Sequence, residues 1–203
     1  VTQVASKGVT FEQFINWYPN NGIPYELHDG VIIEMPPPTG DHEKVVGFIA
    51  RKLTVVFDRL NFPYTIPKTA FIKHERTNSA YLPNILLLNL DHLSNEPFWN
   101  KASTVTQPGS IPLVVEVVSS NWRDDYYKKL ADYEEIGLPE YWIVDYAALG
   151  GNKFIGNPKQ PTIFVCELVN NEYKMNQFQG NSRIISSNFP QLDLTAQQVF
   201  DPA

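Results

Sequence analysis

Glu116 stands inside an apolar run, Leu113-Val114-Val115-Glu116-Val117-Val118. Alternate residues of a strand share a face, so Glu116 lies with Val114 and Val118 while Val115 and Val117 point the other way. Apolar neighbours on both faces imply a strand covered on both sides. A carboxylate in that setting must be paired, bind a metal or take up a proton. A structural salt bridge and a catalytic carboxylate are both compatible with the run.

Two lysines follow on a helix read over residues 122–136. On a wheel of about 100° per residue, Trp122, Tyr126, Leu130, Tyr133 and Ile136 share an apolar sector. With Tyr126 at zero, Lys129 falls at about 300°, inside that sector, and Lys128 at about 200°, on the opposite face. Lys129 is therefore expected to face the sheet and Lys128 the solvent. Asp125 lies one turn before Lys129, placed for an i,i+4 pair. A strand carboxylate met by a lysine from the next helix is a recognisable arrangement; a buried ion pair, or a lysine snorkelling from the apolar edge, fits the same pattern.

His42 occupies the apolar stripe of a second helix, in its first turn. Helix N-termini disfavour an imidazolium and favour anions nearby. The alternatives for His42 are a satisfied core residue and a group that positions a ligand.

The elements that must carry these side chains follow from periodicity. Thr10 caps a short helix reaching Trp17, and Tyr25–Leu27 and Val31–Ile33 flank His28-Asp29-Gly30 as a hairpin. From Asp41 to Leu60, Val45, Val46, Ile49, Leu53, Val56, Phe57 and Leu60 recur at helical spacing. Residues 64–74 read as a strand, 81–90 contains a buried one, and 91–110 is a turn-rich excursion in which Phe98 and Trp99 mark a dimer contact or a loop cover. Strand 111–118, helix 122–136 and strand 140–145 come next, the helix closed by Gly137 and Pro139. A hairpin over 162–178 follows, then Arg183-Ile184-Ile185 as a further strand and a Thr195-capped helix ending near Phe200. Cys166 reads as a small buried strand residue and Asp145 as a strand-end turn residue. The order predicts one mixed α/β domain over residues 1–203, a mixed sheet flanked by helices.

With 203 residues, 43% hydrophobic and 13% aromatic, the chain has enough apolar side chains for one sizeable core. A net charge of −6 argues against a protein that coats nucleic acid through bulk electrostatics, though not against a local catalytic groove. No run of about 18 apolar residues is present, so no membrane span is expected. The N-terminal residues show no secretion pattern and there is one cysteine, so the expected compartment is the cytoplasm.

Taken together, "YELHDGVIIEMPPPTGDH", "YLPNILLLN", "PLVVEVVSSNWRDDYYKKLADYEEIGLPEYWIVD" and "FPQLDL" resemble the Uma-two family, grouped with the restriction-endonuclease-like PD-(D/E)XK nucleases. The resemblance runs from about residue 10 to the end. It implies a restriction-endonuclease-like core with an added N-terminal hairpin and a C-terminal β-hairpin, a DNA substrate, a homodimer, and Mg²⁺ or Mn²⁺ held by acidic residues. By the same resemblance Glu116 is the glutamate of the E-x-K strand. Position 118 is valine, and Lys129 takes the lysine's place from the helix. Glu26 is an additional acidic residue and His42 an accessory histidine. The family's Pro-Asp is here Pro83-Asn84, so the implied metal set is Glu116, Asn84 and Glu26, with a neutral amide oxygen in place of a carboxylate and weakened affinity. Glu75 and Asp91 are the acidic stand-ins, neither at the right place on the strand. The resemblance leaves open an active metal-dependent nuclease, an inactive nuclease-like binding module, and a structural protein whose inward polar groups are internal pairs.

Overall fold

The computed structural model describes residues 8–202; the first part of the N-terminal stretch read as leaderless lies outside them. Helix α1 (Phe11–Trp17) starts from a capping box in which Thr10 and Gln13 exchange side-chain and backbone hydrogen bonds. Strands β1 (Tyr25–His28) and β2 (Val31–Glu34) form the expected hairpin. Its turn places Asp29 and Gly30 at φ 50° and 81°, the two positive φ values that a two-residue turn between twisted strands requires. Then come α2 (Gly40–Arg59), β3 (Tyr64–Thr65), β4 (Phe71–His74), β5 (Ser79–Tyr81) and β6 (Ile85–Asn89). The excursion over 91–110 holds α3 (Trp99–Ala102) and β7 (Thr104–Val105). The second half carries β8 (Leu113–Val117), α4 (Lys129–Ile136), β9 (Glu140–Asp145), α5 (Asn152–Ile155), β10 (Thr162–Val169), β11 (Glu172–Phe178) and α6 (Ala196–Phe200).

The strands make two mixed sheets. The larger runs β11-β10-β9-β8-β6-β3, with β8 and β9 parallel and the helix between them crossing over; the smaller runs β2-β1-β5-β4-β7. The N-terminal hairpin thus forms one edge of the smaller sheet, and the C-terminal hairpin extends the larger. On one face of β8, Leu113, Val115 and Val117 pack with Val45, Ile49 and Leu53 of α2 and with Val199 of α6. On the other, Val114 and Val118 pack with Tyr126 and Tyr133 of the crossover helix and with Ile72 and Tyr81 of the smaller sheet. Glu116 shares this second face, between the two sheets. Among the described residues no helix is long and apolar enough to cross a membrane.

Three expectations need correction. Residues 64–74 are not one strand: β3 joins the larger sheet and β4 the smaller, with Pro67, which has no N–H to give a ladder, in the gap between them. Arg183-Ile184-Ile185 contributes only a bridge from Arg183 to Thr195. Lys128 is half-buried rather than solvated, because the β1–β2 turn covers that side of the helix and Asp29 accepts from it at 2.9 Å. Phe98 is half-buried, its ring edge-on to Phe11 at 5.2 Å.

Candidate functional site

Asp124–Lys128 is a π-helical turn leading into α4. Such one-residue expansions of a helix widen it locally and recur at functional sites. Here Asp125 and Lys129 both point inward, and both are buried. Lys129 Nζ donates to Glu116 Oε1 on β8 at 2.9 Å and to Glu26 Oε1 on β1 at 3.0 Å, with Asp125 Oδ1 at 3.9 Å. Its ammonium also lies 5.7 Å from the centre of the Tyr81 ring. Glu26 is 0% exposed and Glu116 and Lys129 are each 3% exposed. Lys129 thus joins the two sheets through Glu116 and Glu26.

The carboxylates are held unequally. Glu26 accepts from Lys129 and from Leu82 N–H through Oε1, and from His28 Nε2 at 2.8 Å through Oε2. Burial pulls its pKa up, but Lys129 and these donors outweigh burial and hold it below the usual carboxylate value. Glu116 accepts from Lys129 and from Tyr133 OH at 3.0 Å, both on Oε1. Burial dominates there, Lys129 offsets only part of it, and Glu26 adds repulsion, so its pKa is raised. Asp125 is raised well above its ordinary value by burial, with Lys129 again a partial offset. Burial disfavours the Lys129 ammonium, yet Glu116, Glu26 and Asp125 together hold its pKa well above that of a free lysine.

Asn84 and His42 meet at Val117, the last residue of β8. Asn84 Oδ1 accepts from Val117 N–H at 2.7 Å, and His42 Nε2 donates to Val117 O at 3.2 Å. Together they fix the strand end where the chain leaves the sheet. The five expected residues therefore form a contiguous site, three in direct contact and two flanking them. All five line one cavity of about 420 Å³, walled further by the Met35–Thr39 strap and by Ser119 and Ser120. Glu75 and Asp91 are exposed and line none of it.

Sequence reasoning missed Tyr133 and His28. Tyr133 was counted as apolar on the wheel although its hydroxyl must find a partner when buried. His28 shares a strand face with Glu26 by simple alternation, a signal hidden by treating it as part of the turn.

The cavity lining carries five carboxylates and two lysines. Carboxylate oxygens are hard donors of the kind that suit Mg²⁺ or Mn²⁺. Among the described residues no three His, Cys, Asp or Glu side chains form a group able to hold an ion by themselves. An ion there would complete its shell with water and substrate oxygens, the ordinary habit of Mg²⁺.

A family model for Uma2, described as "Putative restriction endonuclease", matches residues 11–197. The chain belongs to the Uma2 family. The fold is also that of a solved structure titled as a putative nuclease of DUF820 from Anabaena variabilis ATCC 29413, with a TM-score of 0.72 at 15% identity, covering 95% of this chain and 97% of that one. No curated protein matches the chain.

Proposed function

We propose that this Uma2 protein hydrolyses phosphodiester bonds in DNA with the help of Mg²⁺ or Mn²⁺. The observation that carries the reading is the Glu26–Lys129–Glu116 contact inside an acid-rich cavity, where carboxylates outnumber cations. When bound, the metal supplies Lewis-acid polarisation of the phosphoryl oxygen. Glu116 would hold it, with the second lone pair of the Asn84 amide oxygen as a neutral ligand. Glu26, whose two oxygens already accept three hydrogen bonds, anchors the lysine.

Lys129 has three N–H donors, of which two are committed to Glu26 and Glu116. The third is available to an attacking water or a phosphate oxygen. Because its pKa is raised, Lys129 stays protonated at neutral pH and acts by orientation and charge, not as a proton acceptor. His42 and Asn84 act through the backbone, holding Val117 and so the reach of Glu116.

The test is calorimetric titration of Mn²⁺ and Mg²⁺ into the natural protein, Glu116→Gln and Asn84→Asp, followed by plasmid nicking assays. The natural protein should bind Mn²⁺ weakly and nick DNA in its presence. Glu116→Gln should abolish both, and Asn84→Asp should tighten binding about tenfold or more. If neither the natural chain nor Asn84→Asp binds Mn²⁺, the reading is wrong. Binding by Asn84→Asp alone would identify a nuclease fold whose metal site has been dismantled.

A further inference from the structure

Seven carboxylates are buried among the described residues: Glu26, Glu96, Glu116, Asp125, Asp132, Glu140 and Asp145. Six of them accept at least two hydrogen bonds each. Glu96 takes Thr106 and Gln107, Asp132 takes Tyr81 and Lys128, Glu140 takes Trp142, Ser186 and Asn188, and Asp145 takes Leu149, Gly150 and Tyr126. Glu26 and Glu116 are held by Lys129 and its neighbours. Asp125 is the exception. Its nearest partner, Lys129 Nζ at 3.9 Å, is too far for a hydrogen bond, and no other donor reaches its carboxylate.

The link of Asp125 to Lys129 is an ion pair at 3.9 Å, which leaves the carboxylate oxygens open to a further partner. The backbone carbonyl of Asp125 is already tied to Tyr141 OH at 3.0 Å, so the residue is fixed in place without its side chain. Asp125 is 7% exposed and lines the same cavity as Asn84 and Glu116. Its oxygens are not sealed away as orphaned polar atoms, so they open onto the cavity, where a cation can meet them. Position 84, across the cavity lining, presents an amide where a charged oxygen would bind a hard cation more strongly.

We infer that Asp125 supplies the metal site with the carboxylate that position 84 lacks. The inference rests on the metal-dependent reading above, and the experiment separates the two. Mn²⁺ is titrated calorimetrically into the natural protein, Asp125→Asn, Asn84→Asp and the double variant, each checked by thermal melting. Asp125→Asn should weaken Mn²⁺ binding about tenfold or more, and Asn84→Asp in the same chain should restore it to near the natural value. Asp125→Ser serves as a second variant should the amide distort the helix, with the same expected loss and rescue. Unchanged affinity in both position-125 variants overturns the inference while leaving the metal reading intact. So does a loss that Asn84→Asp fails to rescue, since Asp125 would then act only by steadying Lys129. Absence of Mn²⁺ binding in the natural chain and in Asn84→Asp overturns both.

Discussion

Replacing Lys129 with methionine keeps most of the side-chain volume and removes the one ammonium that faces Glu26, Glu116 and Asp125. Removing one partner of a buried ion pair typically costs about 3–5 kcal/mol, because the partner charge stays behind. For a chain of this size that corresponds to a fall in Tm of about 6–20 °C near neutral pH. The pH dependence has a definite sign. Glu116 and Asp125 already have raised folded-state pKa values through burial, and losing Lys129 raises them further. The folded variant then binds more protons than the unfolded chain, so its instability is greatest above those folded pKa values and eases as pH falls toward the unfolded carboxylate range of about 4. Glu26 acts in the same direction on the difference. In the natural protein its lowered pKa contributes stability above its unfolded value that is lost as pH falls through the folded one, and the variant forfeits the share due to Lys129. Melts of both proteins from about pH 8 to about pH 5 should therefore converge on acidification. A variant that melts with the natural protein throughout, or a gap that widens in acid, would refute Lys129 as the counter-ion of the cluster.

Tyr133→Phe removes the hydroxyl that donates to Glu116 at 3.0 Å and should cost about 1.5–3 kcal/mol in urea unfolding. An unchanged midpoint would mean that Glu116 does not depend on that donor. Gly30→Ala places a side chain at φ 81° with its Cβ 2.9 Å from Gly8 Cα, so the hairpin carrying Glu26 should lose about 1–3 kcal/mol. A variant as stable as the natural protein would show that the turn can take another shape.

The stripe of α2 and the two faces of β8 were legible because local periodicity decides them: a helix wheel and a strand's alternation need only neighbouring residues. Lys129 was found in the same way, and the π-turn did not displace it from the inward face. Long-range facts were not legible. Nothing near Lys128 in sequence announces Asp29, which folds over it from the β1–β2 turn, and nothing in 64–74 except Pro67 hints that its two ends serve different sheets. Glu26 came from family resemblance, since its strand is short and its partners, Leu82 and Lys129, are distant along the chain. Asp125 was visible as a partner for Lys129, but its lack of donors emerges only when every other buried acid is accounted for.

The joint between the two sheets closes on charge as well as on apolar packing, and that ties assembly to occupancy. Lys129 and Glu116 belong to the larger sheet and its crossover, Glu26 to the smaller, and the three form one clasp. Any cation that draws Glu116 away from Lys129 must offset the loss of that contact out of its own binding free energy. Linkage is reciprocal: whatever loosens the clasp changes cation affinity by the same free energy with which the cation changes the clasp. A cation bound by Glu116 would therefore be coupled to the rigidity of the joint.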